Sequence, residues 1–152
     1  MEISSSRNQV RLWILASVIC YLGSLVSKAY CTDGTSCVVG FLPLVLGWFY
    51  SAVDPIAGLP WLANPLLIMG WILCLLFLRG PAVVTTVGSL LCSLMFLGTP
   101  GVLQDEGGSV RRVTSLEIGY WLWLASCALA CVAAWLSANL DHPVGSGGSR
   151  RR

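Results

Sequence analysis

Five apolar stretches separated by short polar breaks dominate the chain and indicate a protein that crosses a membrane several times. They are residues 12–29, 38–53, 61–78, 82–97 and 119–138. A helix needs about 20 apolar residues to cross the hydrocarbon core of a bilayer, so stretches of this kind are typical of transmembrane helices. The pattern predicts an all-α fold, with an integral membrane domain over residues 12–138 built as an antiparallel helical bundle.

The second stretch, residues 38–53, is ambiguous because Gly40, Pro43 and Gly47 interrupt it. As a helix it would reach about 24 Å, less than the roughly 30 Å of the hydrocarbon core. Another stretch, residues 82–97, is no longer, so length does not decide. In one arrangement four helices cross and residues 38–60 form a re-entrant or interfacial segment on the outer side. In the other arrangement five helices cross.

The basic residues favour the four-span arrangement, because cytoplasmic loops of membrane proteins carry an excess of lysine and arginine. With four spans and a cytoplasmic N-terminus, six of the nine basic residues lie inside, namely Arg7, Arg11, Arg79, Arg150, Arg151 and Arg152. Five spans would leave four of the nine inside. The sequence therefore predicts two cytoplasmic ends, a polar segment at residues 1–11 and a flexible basic tail at residues 139–152.

The composition agrees with lipid as the solvent of this chain. Hydrophobic residues make up 56% and charged residues 11%, whereas soluble domains carry about a quarter charged residues. The mean hydropathy is +0.78. The formal net charge is only +2, and the sequence has no basic helix interleaved with aromatic residues, so we expect no nucleic-acid partner.

Small residues recur on one face of three of the apolar stretches. Small side chains let helix backbones approach closely in lipid, so these faces predict the inner seams of the bundle. A homodimer contact through the same faces is the alternative. The predicted packing residues are Ala16, Cys20, Gly23, Gly88, Ser89, Cys92, Cys127, Ala130, Cys131 and Ala134.

Cys31 and Cys37 differ from the other five cysteines, because they flank a polar loop that both arrangements place outside. We expect a structural disulfide between them, since disulfides persist in oxidising compartments. A redox-active pair is an alternative, which the absence of a CxxC motif disfavours. Cys127 and Cys131 lie one helical turn apart and raise the further alternative of a metal path. No histidine accompanies them, and we expect packing without a metal.

Other polar residues offer little chemistry. The cores of the strong spans hold no charged residue, which disfavours a proton-coupled transport path. His142, the only histidine, has no triad or metal-ligand context, and the sequence contains no phosphate-binding loop. We therefore expect no enzymatic activity, no catalytic residue and no cofactor. Asn64 and Pro65 lie one turn into an apolar stretch, where they would kink the helix or hydrogen-bond to the re-entrant segment.

Three features carry a general resemblance to a known group of proteins: CTDGTSC after the first span, LGWFYSAVDPIAGLPWLANPLL in the middle and GYWLWLAS at the start of the last span. Over roughly residues 12–138 the chain resembles small bacterial membrane proteins that have no assigned activity. The resemblance implies four helices in the bacterial inner membrane, and it implies no particular reaction.

The sequence favours a membrane protein that acts by contact. Such a protein could be an accessory subunit or an immunity-type protein, with a membrane protein or a second copy of the chain as partner. The outer segments, residues 31–60 and 98–118, would form the recognition face. A small transporter or metal-handling protein that uses the buried cysteines is the second hypothesis, and a membrane thiol redox protein is the third.

Overall fold

Helices account for most of the chain in a computed structural model, which describes residues 2–33, 37–53, 58–99, 101–103 and 110–139. The helices are α1 (Glu2–Val26), α2 (Phe41–Val53), α3 (Ala63–Leu75), α4 (Arg79–Met95) and α5 (Ile118–Asn139). A 3-10 turn, Leu59–Leu62, leads into α3, and a second, Phe96–Gly98, follows α4. The basic tail that the sequence predicts lies, beyond Asn139, outside the described residues.

Three of these helical stretches are long and apolar enough to cross a membrane. They are Arg7–Val26, Arg79–Gly98 and Ile118–Asn139. A fourth apolar stretch, Leu59–Leu75, is shorter. The length and composition of the three stretches support membrane localisation, as the hydropathy pattern predicts.

Helices α1 and α5 lie side by side and run in opposite directions. Gly119, at the start of α5, lies against the backbone of Lys28 just beyond α1. Ser17 contacts Ser126 in the middle of the pair. Val10 and Ile14 of α1 pack with Ala133 and Ala134 of α5 in one buried apolar cluster.

Helices α3 and α4 are antiparallel to each other. The Ser89 hydroxyl of α4 donates to the Ala63 carbonyl at the start of α3 at 2.9 Å, and Cys74 near the end of α3 packs with Ala82 near the start of α4. Ser89 also lies 3.3 Å from Cys127 Sγ of α5. The starts of α1 and α4 therefore share one end of the bundle with the ends of α3 and α5.

A small β-sheet at the opposite end corrects the all-α prediction. Strands β1 (Lys28–Thr32), β2 (Cys37–Val39) and β5 (Val113–Leu116) form an antiparallel sheet in the order β2-β1-β5. A separate pair, β3 (Val102–Leu103) and β4 (Val110–Arg111), lies in the connection between α4 and β5. We call the end that carries the sheet the sheet end.

The sheet was missed because its strands are too short to show a periodic pattern. The apolar stretch 12–29 predicts helix to its last residue, but α1 ends at Val26. Beyond it, the Ala29 carbonyl accepts a hydrogen bond from the Glu117 backbone N–H at 2.9 Å. Glu117 is remote in sequence, so no local signal reports this pairing.

Helix α1 begins at Glu2 and therefore passes through the polar segment, residues 1–11. Val10 is 2% exposed, because it packs against α5. Helix α2 lies at the periphery and packs against the 3-10 turn before α3. A Cβ atom at Gly47 would overlap the Trp61 ring, and Trp61 Nε1 donates to the Leu44 carbonyl at 2.9 Å.

Close contact between the start of α5 and the chain beyond α1 predicts that Gly119→Ala destabilises the fold. The added Cβ would lie 2.6 Å from the Lys28 carbonyl oxygen and 3.0 Å from that of Ser27. Overpacking of this kind costs about 1–3 kcal/mol in the free energy of unfolding, which denaturation in detergent micelles would measure.

Gly80→Ala is the matched control, since Gly80 is also the second residue of its helix and has nothing within 4 Å of an added Cβ. We expect its stability to stay the same or rise by up to about 1 kcal/mol. Equal stability of the two variants would contradict the close contact at Gly119.

Candidate functional site

The sheet is built directly onto the ends of two membrane-length helices. Strand β1 follows α1 after one residue, and β5 precedes α5 after one residue. Tyr30, in β1, is buried, and its ring centroid lies 5.6 Å from that of Phe96. Phe96 in turn lies 5.6 Å from Tyr120 of α5. These three rings seat the sheet on the bundle, so its position follows that of the helices.

The disulfide predicted between Cys31 and Cys37 is present and joins β1 to β2. The two residues are direct partners in the strand register, with Cα atoms 4.0 Å apart. Glu117 Oε1 lies 3.5 Å from the Cys31 sulfur. A disulfide sulfur carries no proton to donate, so this is a packing contact. The disulfide closes the hairpin that follows α1.

Polar side chains occupy the exposed side of the sheet and hold it together. The Arg111 guanidinium donates to the Asp33 carbonyl at 2.9 Å, and the Thr114 hydroxyl donates to the Cys31 carbonyl at 3.0 Å. The Ser115 hydroxyl donates to Glu117 at 2.8 Å. Among the described residues at this end of the bundle, the exposed ones that carry a charge or a hydroxyl group are Lys28, Asp33, Arg111, Arg112, Thr114 and Ser115.

A hydrogen-bond network runs through the bundle interior at the level of Ser17. Trp71 Nε1 donates to Ser17 Oγ at 2.9 Å. Ser17 in turn donates to the Ser126 carbonyl at 2.7 Å, with the two hydroxyl oxygens 3.2 Å apart. The network therefore links α1, α3 and α5 through side chains that have no charge.

Asn64 is the centre of a second group of hydrogen bonds in the bundle interior. Its Oδ1 accepts from Tyr21 OH at 3.3 Å and from Trp123 Nε1 at 3.0 Å. Its Nδ2 donates to the Trp61 carbonyl at 3.2 Å. Pro65 lies in the first turn of α3, where backbone N–H groups have no partner within the helix, so it removes no interior bond of α3.

The small residues predicted to form seams fall into two groups. The buried ones are Ser89, Cys127, Ala130 and Ala134. The half-buried ones are Ala16, Cys20, Gly23, Gly88, Cys92 and Cys131. On α1 the buried side holds Ser17, Tyr21 and Ser24, each one residue beyond a predicted position. One residue turns a helix face by about 100°.

Sequence reasoning missed most of the network, although a signal for it existed. Ser17, Tyr21 and Ser24 recur at spacings of four and three residues, which places three hydroxyl groups on one face of α1. The partners of Ser17 are Trp71 and Ser126, and the partner of Tyr21 is Asn64. They lie on other helices, so only the packing brings them together.

The hypothesis of a metal path through the buried cysteines receives no support from the geometry of the described residues. In the part of the chain that the structure describes, no group of three or more His, Cys, Asp or Glu side chains is close enough to hold a metal ion. Cys127 is buried and lies within hydrogen-bond distance of Ser89. Among the buried side-chain nitrogen and oxygen atoms of the described residues, the Ser137 hydroxyl oxygen is the one without a hydrogen-bond partner.

Comparisons of the chain with protein-family models, with curated proteins and with solved structures found no match.

The double role of Asn64 as acceptor predicts a large loss of stability for Asn64→Leu. The change keeps a similar volume but leaves the Tyr21 hydroxyl and the Trp123 N–H without a partner. Each buried donor left unpaired costs about 1–3 kcal/mol, so for two donors we expect a loss of about 2–6 kcal/mol in the free energy of unfolding in mixed micelles.

Tyr21→Phe is the matched comparison, because it removes one donor and leaves Asn64 paired with Trp123. Interhelical hydrogen bonds in membranes average about 0.6 kcal/mol, and we expect a loss of that size. The double variant should lose less than the sum of the two. Additive losses would mean that Tyr21 and Asn64 do not interact.

The disulfide predicts a local effect for the double change Cys31→Ser, Cys37→Ser. A loop this short contributes about 2 kcal/mol through the entropy of the unfolded chain. We expect faster amide hydrogen exchange in β1 and β2 and unchanged membrane insertion. A reductant should reproduce the effect in the wild-type protein and change nothing in the variant. Unchanged exchange in both would show that the disulfide does not stabilise the hairpin.

Proposed function

We propose that this chain is a four-span protein of the bacterial inner membrane that acts by contact with another membrane protein. In this proposal both termini are cytoplasmic and the sheet end faces outward. An accessory subunit and an immunity-type protein are the two roles that fit. The proposal rests above all on one observation, a disulfide-closed sheet that sits across the ends of α1 and α5 and exposes charged and hydroxyl side chains.

The distribution of basic residues supports this orientation. The end of the bundle opposite the sheet carries Arg7, Arg11 and Arg79, and we call it the arginine end. Arg7 reaches it from α1 and lies over the Phe77 ring of the α3–α4 turn at 5.1 Å. Because arginines are retained on the cytoplasmic side of bacterial membranes, an inward arginine end makes the sheet end the outer one.

The fourth span would be α3 together with the 3-10 turn that precedes it. Leu59–Leu75 would reach about 26 Å, and a bilayer adapts to a short span by local thinning at a modest cost. Asn64, whose amide is paired within the bundle, adds no unpaired polar group to this span. The antiparallel packing of α3 against α4 supports a full crossing of the membrane by α3.

Helix α2 fits the outer boundary of the membrane better than a fifth crossing. It has 13 residues, which reach about 20 Å against the roughly 30 Å of the hydrocarbon core. Its Gly47 packs on Trp61, whereas Phe41, Trp48 and Phe49 are all more than half exposed. Lipid at the outer interface would cover these side chains while the polar sheet stays in water.

The interior of the bundle fits a protein that acts by contact with a partner better than it fits a transporter. Ser17, Asn64 and Ser89 bond to protein groups on neighbouring helices, so the interior polar groups hold the bundle together. The side chains of Arg112 and Lys28 are exposed and make no hydrogen bond between helices among the described residues. Side chains of that kind, on a rigid surface, are available for a partner.

A photo-cross-linking amino acid placed at Thr114 or Arg112 tests the proposal in intact cells. We expect a defined protein adduct at these positions and a clear reduction of it in the Cys31→Ser, Cys37→Ser background, because the hairpin would lose its shape. The same amino acid at Gly80, at the arginine end, is the matched control and should not give that adduct. Lipid adducts alone at all three positions would contradict recognition by the sheet end.

The outward orientation of the sheet end can be tested separately in the same cells. An impermeant thiol reagent should label Cys31 and Cys37 only after reduction. Failure to label after reduction, with a labelled external control protein, would contradict an outward sheet end.

A further inference from the structure

The arginine end combines cations with an exposed apolar surface. Arg7 and Arg11 are exposed and lie one helical turn apart on α1. Arg11 lies within the membrane-length stretch Arg7–Val26 and directly precedes Leu12, which is 63% exposed. A cation in that position sits at the level of the lipid headgroups, because the apolar side chain beside it requires the acyl region.

Phe77 adds a preorganised feature to this end. It closes α3 in a left-handed conformation with φ 56°, which a non-glycine residue adopts at a cost of about 1–2 kcal/mol. The Leu78 N–H donates to the Leu73 carbonyl and the Phe77 N–H donates to the Cys74 carbonyl, the bonds of a helix cap that usually uses glycine. The ring places an aromatic face under Arg7.

Phe77 therefore fixes the Arg7 guanidinium beside the α3–α4 turn. The guanidinium carbon lies 5.1 Å from the ring centroid, within the range of a cation–π contact. Leu76 and Leu78, on either side of Phe77, are 61% and 49% exposed. The cation is thus held among apolar side chains that face the lipid.

Acidic residues do not neutralise Arg7 or Arg11 in the part of the chain that the structure describes. Asp33 and Glu117, the acidic residues whose side chains are described, lie at the sheet end. A ligand at this end has to supply negative charge.

We propose that Arg7 and Arg11, with Arg7 held on Phe77, bind the phosphate headgroup of an anionic phospholipid. The headgroup phosphate accepts hydrogen bonds from the guanidinium groups, and the acyl chains of the lipid cover Leu12, Leu76 and Leu78. A phospholipid fits better than a free anion, because the same few residues offer both the charge and the apolar surface. The site is independent of any partner at the sheet end.

Lipid binding to the full chain in a non-ionic detergent tests this site. Native mass spectrometry would compare the apparent Kd for phosphatidylglycerol and phosphatidylcholine. We expect the wild-type protein to prefer phosphatidylglycerol. Arg7→Gln with Arg11→Gln should lose about thirtyfold in affinity for it, since each arginine contributes about 1 kcal/mol and 1.4 kcal/mol is tenfold.

Arg111→Gln with Arg112→Gln is the matched control, because it removes the same charge from the sheet end. It should keep the preference for phosphatidylglycerol. Phe77→Leu leaves both arginines in place and should lose about two- to fivefold, the worth of an exposed cation–π contact. This variant also keeps the test valid if the double arginine variant does not fold.

Three results would overturn the assignment. Equal affinity for the two lipids would show that the charge of the headgroup does not determine binding. Equal losses in the two double variants would make the effect one of net charge. Displacement of phosphatidylglycerol by inorganic phosphate at a similar concentration would identify a free anion as the ligand instead of a lipid.

Discussion

Pairing of α1 with α5 is the contact on which the rest of the structure depends. Ser17 binds the α5 backbone in the middle of the pair, and β1 binds β5 just beyond it. Because β1 follows α1 directly and β5 precedes α5 directly, helix packing brings the strands together and the strands hold the helix ends in register. Helices α3 and α4 then close the bundle through Asn64 and Ser89.

Lipid imposes a second constraint, since polar groups in the hydrocarbon core have no water to bind. The bundle satisfies it with pairs of neutral groups, such as Trp71 with Ser17 and Trp123 with Asn64. These bonds cross between helices and so add specificity to packing that apolar contact alone would leave loose. The interior is consequently structural, and the groups free to interact with other molecules lie at the two ends.

The two ends of the bundle differ in chemistry, and each supports its own proposal. The sheet end is closed by a disulfide and mixes Asp33 and Glu117 with exposed cations, a surface suited to a protein partner. The arginine end sets Arg7 and Arg11 among exposed leucines, a surface suited to a phospholipid. The membrane-length helices separate the two surfaces, so each proposal can be tested without the other.

The sequence by itself determined the membrane character, the apolar helices and the pairing of Cys31 with Cys37, because hydropathy and loop length are local properties. It also showed small residues on helix faces, but it did not resolve which side of α1 is buried. Only the tertiary structure decided that Ser17 and Tyr21 face inward, since their partners come from α3 and α5. The sheet likewise required tertiary structure, because β1 and β5 are brought together by helices from opposite ends of the chain.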